Sequence, residues 1–598
     1  MWWVVVAVVV AVLGYFWLLA RQNKYWLEKG VNQGRYMTVF GDSWKIIVRK
    51  QSFAEMVLEV YNKFPNSRQD FFLLTLRQLL HLRLCKYFLL TNGIFKFLKF
   101  SETRLVPITP ILPQLPVSCL QEYIFNYKAI SPIIRYAGIY QFFAPTLLIR
   151  DPDLIKQITV KDFDHFVDHR KFVTEDTDPM WGKSLFNLSG QRWREMRGTL
   201  SPAFTSSKMK YMFSLISQSG EQFVNHFLRK NEDLITVEMK DTLTRFANDV
   251  IASTAFGVEC DSLKERNNEF YLMGKEATNF GGVWFTIKVI AFVAIPKLCG
   301  VLNIGLFSQK VAKFFTKLIK SNIESREKHG IVRPDMVNLL MEARKSGMTH
   351  EETQPQQDAG FATVQESELV KSTKTRKAEI TDQDITSQAL GFFFAGFDSV
   401  SSLMCLMSHE LGVNSDIQER LIQEVDDTLE TCNGKLTYEA LSGMKYLDMV
   451  VSEALRKWPA GVAVDRVCTK PYTIQPKTPD EKPVHLEKNA LIWLPIMGLH
   501  RDPQYWPDPD RFDPERFSEE NKANINPYAF LPFGSGPRNC LGSRFALLEI
   551  KTLFFYILSH FEIVPVEKTQ IPLQLSRKTF NLTAEKGFWL GLKRRVKV

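Results

Sequence analysis

Ten residues near the C-terminus constrain this chain more than any other stretch: Phe533-Gly534-Ser535-Gly536-Pro537-Arg538-Asn539-Cys540-Leu541-Gly542. One cysteine sits in a glycine-rich bend, with an arginine two residues before it and a phenylalanine seven before it. Such a bend suits a thiolate ligand to a haem iron. Gly534, Gly536 and Gly542 let the backbone turn, and approach a flat macrocycle, where side chains would clash. Backbone N–H groups around the bend stabilise a negative sulfur and tune its electron donation. Arg538 is placed to reach a haem propionate, and Phe533 to cover the ring and exclude water. The alternative is a buried, inert cysteine, the usual state of a free Cys.

The pattern Phe-x-x-Gly-x-Arg-x-Cys-x-Gly resembles the haem-binding signature of the cytochromes P450, in which Cys540 is the axial iron ligand and its thiolate pushes electron density toward O–O cleavage. Three further constellations follow the same resemblance. Ala395-Gly396-Phe397-Asp398-Ser399 lies mid-helix, where glycine is unfavourable by about 1 kcal/mol against alanine. The expected use is closeness: small residues pass over the cofactor and leave a groove for dioxygen, while Asp398 and Ser399 relay protons. The family usually has Thr where this chain has Ser399, which keeps the hydroxyl and loses the methyl that restricts its rotamer. Glu453-Ala454-Leu455-Arg456 pairs opposite charges at i and i+3. It resembles the family's ExxR, with Arg516 as the third, structural member. Trp193 and Arg197 match WxxxR, one helical turn apart and both in reach of a propionate. Arg466 matches another propionate partner. Phe394, Phe397 and Val462 to Val464 are expected in the substrate pocket.

The ends and the composition bound the setting. Trp2 to Ala20 has no charged residue, and as a helix it spans about 28 Å, close to a bilayer's hydrocarbon thickness. Arg21 and Lys24 follow it with no basic residue before, which keeps the bulk of the chain cytosolic. A cleaved signal peptide is the rival, but the basic n-region and small-residue cleavage site are missing. The net charge of +10 comes without long basic runs, so a membrane-proximal setting and acidic partners fit better than nucleic acid. Cys85, Cys119, Cys260, Cys299, Cys405, Cys432, Cys468 and Cys540 form no CxxC pair, which speaks for a reducing compartment.

Along the chain, residues 21–68 read as an amphipathic lead-in. Residues 69–135 are atypical: rich in Phe and Leu, they carry eight Lys/Arg against three Asp/Glu. The text on either side joins as YNKFPNSR and YAGIYQF. The segment reads as translated intron or a gene-model error, against a real insertion with a second membrane-hugging element. From Tyr136 onward two short strands, 138–142 and 146–149, precede an Asp151-Pro152 helix start. Residues 283–307 are apolar, and are either plain core or a membrane-dipping, channel-lining element. Residues 351–377 read as a solvated linker. Thr381 to Asp384 is a capping box that opens a helix running to about Glu410.

These readings give a mainly α fold with a small β-rich part, the cytochrome P450 fold on an N-terminal transmembrane anchor (1–20), with the haem-thiolate body at 136–598. Flanking text such as VKDFDHFVDHR and LSPAFTSSKMK is similar to the insect microsomal P450s, family 9 as found in moths and related insects. The resemblance implies a monooxygenase with haem b, O2 as co-substrate and electrons from NADPH through NADPH–cytochrome P450 reductase, with cytochrome b5 as an accessory donor. Arg192, Arg194, Lys208 and Lys210 are its candidate docking face. Small lipophilic substrates and a place on the endoplasmic reticulum membrane, facing the cytosol, are also implied. A reductase-independent isomerase or dehydratase, and a non-catalytic or defective haem-binding product, remain as alternatives.

Overall fold

The computed structural model describes residues 24–34, 41–64, 134–141, 144–346, 360–363 and 380–596, positions 280, 295, 303, 334 and 480 excepted. The expected anchor at 1–20 and nearly all of the 69–135 segment lie outside these residues. Helix α1 (Phe53–Asn62) begins with a capping box: Ser52 accepts from the Glu55 N–H while Glu55 accepts from the Ser52 N–H. Strands β1 (Tyr136–Gln141) and β2 (Ala144–Ile149) pair antiparallel. Asp151 then caps a helix opened by Pro152, as its residue types require. Helix α2 (Gly190–Leu200), helix α3 (Ser206–Leu228), strand β3 (Leu234–Glu238) and helix α4 (Met239–Ile251) follow.

The apolar 283–307 region carries two helices, α5 (Gly282–Ala294) and α6 (Pro296–Val301). Its Phe292 and Cys299 bury against Val173. Trp284, Ile287, Leu298, Val301 and Leu302 are exposed, so plain core does not describe this pair.

The central helix starts at the Thr381–Asp384 capping box and runs as α7 (Asp382–Phe394), one π-helical turn over Ala395–Val400, and α8 (Ser401–Val413). Its mean hydropathy of 1.6 meets the requirement for crossing a bilayer, but most of its surface is buried among the other helices. Helix α9 (Lys445–Lys457) precedes strands β4 (Val464–Val467), β5 (Tyr472–Ile474), β6 (Val484–Leu486) and β7 (Leu491–Leu494). Helix α10 (Ser543–Leu558) leads into β8 (Phe561–Pro565) and β9 (Trp589–Arg594).

The sheets are small: β1-β2-β7-β4, β3-β9-β8 and the β5-β6 hairpin. One large helical core and a second core under the four-stranded sheet hold the molecule together. The fold is thus mostly helical with a minor β part. The 351–377 linker is the main departure from expectation: within it, residues 360–363 dock, with Ala362 buried in the large core.

Candidate active site

The bend before α10 is built from two left-handed glycines, Gly534 (φ 76°) and Gly536 (φ 71°). A Cβ on Gly536 would lie 1.8 Å from the Thr159 carbonyl oxygen, so only glycine fits against that backbone. The Cys540 N–H donates to the Phe533 carbonyl (2.8 Å) and closes the bend. Protein surrounds Cys540, yet its side chain stays accessible. Burial pushes its thiol up, while a backbone N–H of Gly542 and the charge of Arg197 pull the other way.

Helix α2 serves this bend directly. Arg197 donates through Nη1 to the Asn539 carbonyl (2.8 Å) and through Nη2 to Asn539 Oδ1 (2.6 Å), next to the cysteine. Trp193 is buried, with the Arg538 guanidinium 4.1 Å over its ring. Arg538 donates to the carbonyls of Val167 (2.8 Å), Leu185 (3.3 Å), Phe186 (3.4 Å) and Leu188 (2.6 Å). In this structure it ties the 167–188 loop to the bend.

Arg466 on β4 is different. It is 1% exposed, its Nη1 donates to the Asp465 carbonyl (2.8 Å), and its Nε has no partner among the described residues. Burial lowers it to about 10. Arg466 and Arg197 each lie close enough to Arg538 to repel it, and Asp168 and Asp465 oppose them. His169 lies beside them, its Nδ1 3.1 Å from Asp465, and burial pulls it below the ordinary imidazole value, so it adds no charge. A buried surplus of positive charge with an unused N–H requires an anion. The two carboxylates of haem supply one, so the donor set fits a haem held on Cys540.

Behind the bend, Glu453 and Arg456 are both fully buried and joined by two hydrogen bonds of 2.7 Å. Arg456 also donates to the carbonyls of His500 (3.0 Å), Pro509 (2.8 Å) and Arg511 (3.2 Å). Arg516 Nε lies 3.5 Å from Glu453, and its other nitrogens donate to Pro507 (2.7 Å) and Asp508 (2.8 Å). His500 Nε2 accepts from the Leu531 N–H (2.8 Å), so that nitrogen is unprotonated and Nδ1–H donates to the Arg456 carbonyl (3.1 Å). Sequence reasoning missed His500, which rivets α9 to the segment leading into the bend.

The π-turn holds the other candidates. Ala395 and Ser399 are exposed, and with Asp398 they line a cavity of about 110 Å³ that also touches Phe394, Trp458 and Leu582. The Ser399 hydroxyl donates to the Ala395 carbonyl. A Cβ on Gly396 would lie 2.9 Å from Ile251, so its bare face is turned to α4. The structure corrects the pocket expectation for Phe397: it is 1% exposed and stacks on Phe393 at 4.9 Å, in the core rather than the pocket.

Two residues that no motif announced clamp Asp398. Lys240 on α4 donates to Asp398 Oδ1 (2.8 Å), Ser401 Oγ (3.0 Å) and Ser402 Oγ (2.8 Å), and Asn581 donates to Oδ2. They lie far away in sequence, so only tertiary packing reveals them.

A cysteine-centred bend, a buried cation cluster and a π-turn over an apolar cavity define a haem-thiolate protein. The cytochrome P450 family model matches residues 135–590, and the chain belongs to that family as a P450 monooxygenase. It is 48% identical to cytochrome P450 9e2 of Blattella germanica over 77% of this chain and 86% of that protein. Probable cytochrome P450 9f2 of Drosophila melanogaster is 46% identical over 77% of this chain and 87% of its own length. Cytochrome P450 9b2 of the same fly is 38% identical over 77% and 86%. The chain thus resembles family 9 of the insect P450s, and haem and O2 use come with the family.

Proposed function

We propose that the chain inserts one oxygen atom from O2 into small lipophilic substrates, xenobiotics or endogenous lipids, with electrons from NADPH through a reductase. The observation that carries this reading is the π-turn cavity. Its walls are mostly apolar, and its polar lining is Asp398, Ser399, Ser402 and Asn581. Haem, when bound, supplies dioxygen activation and oxidising power. The chain's own residues do the rest. Cys540 donates the sulfur. Arg466, together with Arg538 and its neighbours Arg197 and Trp193, would hold the propionate side. Phe394, Leu403 and Trp458 exclude water from the substrate. Asp398 holds a carboxylate at the cavity edge, where a proton enters from solvent.

The exposed apolar residues of α5 and α6 support a membrane-facing side, consistent with the Trp2–Ala20 stretch acting as an anchor in the endoplasmic reticulum membrane. In the candidate docking face, Arg192, Arg194 and Lys210 are paired with Glu175, Asp164 and Glu439. Docking of an acidic reductase or cytochrome b5 therefore exchanges ion pairs at these three residues. Because the Ser399 hydroxyl is turned to the Ala395 carbonyl, a reductase-independent isomerase or dehydratase is the second reading.

One experiment separates the readings. Co-expressed with a reductase, the protein is expected to give a far red-shifted reduced carbon-monoxide band and reductase-dependent NADPH consumption with substrate oxidation. Turnover without reductase favours the second reading. A colourless protein, or a Cys540→His variant with the same band, overturns both.

A further inference from the structure

The stretch between helix Met336–Ser346 and Thr381 is polar enough to read as solvated linker, yet four of its residues are seated in a socket. The Phe361 N–H donates to Asp448 Oδ2 on α9 (2.9 Å). Asp448 is in turn paired with Lys551 on α10 at 2.8 Å, and that lysine side chain is 3% exposed. Gly360 adopts φ +141°, and a Cβ there would lie 1.9 Å from Asp448 Oδ1 and 2.8 Å from Lys551 Nζ. Only glycine passes this close to the ion pair. A turn closed by the Thr363 N–H on the Gly360 carbonyl (3.0 Å) then drives Ala362 into the core, at 4% exposure.

The Phe361 ring completes the seat. It meets Phe517 edge-on at 5.4 Å and lies 5.8 Å from Phe530. Phe517 directly follows Arg516 of the buried ion network. Phe530 stacks on His500 at 5.4 Å, and His500 accepts the N–H of Leu531, two residues before the Phe533 that closes the Cys540 bend. The contacts therefore run without a gap from the linker to the thiolate loop.

We propose that Gly360–Thr363 is an intrachain strap whose docking on Asp448, Lys551, Phe517 and Phe530 braces the Cys540 loop, with Phe361 and Gly360 as positioning residues for the thiolate ligand. This rests on the haem-thiolate reading for its consequence, but not for the docking itself. Phe361 is 37% exposed, so its removal leaves the main core intact. Losing an aromatic pair weakens a contact by a factor of roughly 2–10.

The test uses the full-length holoprotein and the variants Phe361→Ser, Phe361→Leu and Gly360→Val. Hydrogen exchange of the peptide covering residues 360–363 reads the docking with no reference to haem. Protection is expected in the parent and in Phe361→Leu, with loss in Phe361→Ser and Gly360→Val. The half-life of the red-shifted carbon-monoxide band against conversion to the thiol-ligated form reads the brace. It is expected to shorten roughly 2–10-fold in Phe361→Leu, which loses the aromatic pairs, and further in Phe361→Ser, which loses the apolar contact as well. A parent peptide that exchanges at the rate of free chain overturns the docking. Band half-lives equal in parent and Phe361→Ser overturn the brace. A parent with no such band at all defeats the haem reading, and with it the brace, while the exchange result still decides the docking. If Gly360→Val does not fold, the two Phe361 variants decide alone.

Discussion

Arg466 shows how a single buried side chain reports on what it must bind. Its guanidinium sits at 1% exposure beside Arg538 and His169, with Nε unused. A charge-assisted hydrogen bond contributes about 1.5–3 kcal/mol, so Arg466→Leu is expected to speed haem transfer to an apo-globin acceptor by roughly 10–100-fold, with Arg466→Lys between. His500 carries a second prediction. Burial and the charge of Arg456 push it down to about 3, while the unfolded chain retains the ordinary value of 6.5. Between those values the unfolded state binds the extra proton, so stability falls as pH drops through 6.5 toward 3. The term is on the order of 3–5 kcal/mol. His500→Gln keeps an acceptor for the Leu531 N–H and cannot titrate. Urea unfolding of both proteins between pH 7 and pH 4 is expected to show the parent losing stability faster, and parallel curves count against this assignment.

At the scale of elements, the central helix is where local rules and tertiary packing part. Its start was legible, because Thr381 and Asp384 cap each other, and so was the Asp151-Pro152 start. The π-turn over Ala395–Val400 was not: the widening is held by Lys240, Thr244 and Ile251 on α4, and no residue within the turn announces them. Motif reading located Asp398 and Ser399 but missed the clamp, for the same reason that it found Arg197 without its partner Asn539. Such turns recur at functional sites. Lys240→Met is expected to lower product formed per NADPH by roughly 10-fold and to speed hydrogen exchange over residues 395–402, with Lys240→Arg restoring both. Unchanged coupling in Lys240→Met removes Lys240 from any role beyond packing. The α9 network makes the contrasting case. Glu453→Ala leaves Arg456 buried without its carboxylate and costs about 3–5 kcal/mol, read as a lower urea midpoint with loss of the thiolate band.

Over the whole molecule, the motifs from Trp193 to Cys540 are spaced along a chain that the family model follows from residue 135 onward. We propose that the 69–135 segment, which precedes the region the family model follows, is separable from the body, and the fold around its two ends supports this. Phe64 and Lys63 both reach Gly34, and the neighbouring Gln33 pairs with Gly138 of β1. The described residues on either side, Phe64 and the start of β1, therefore both lie near one edge of the four-stranded sheet. Arg135, the last residue of the segment, bonds Asp151 (2.9 Å) and Glu481 (2.8 Å), which at first sight argues against removal. The sequence resolves this. Deleting 69–135 joins Arg68 to Tyr136, and an arginine again precedes β1. The deletion protein is expected to keep the carbon-monoxide band and a thermal midpoint at or above that of the full chain. Arg68→Leu in that shortened background is expected to lower the midpoint by a few degrees, through loss of two partly buried ion pairs worth about 1 kcal/mol together. A shortened protein that fails to fold, or a spliced transcript that retains codons 69 to 135, makes the segment a genuine part of the enzyme.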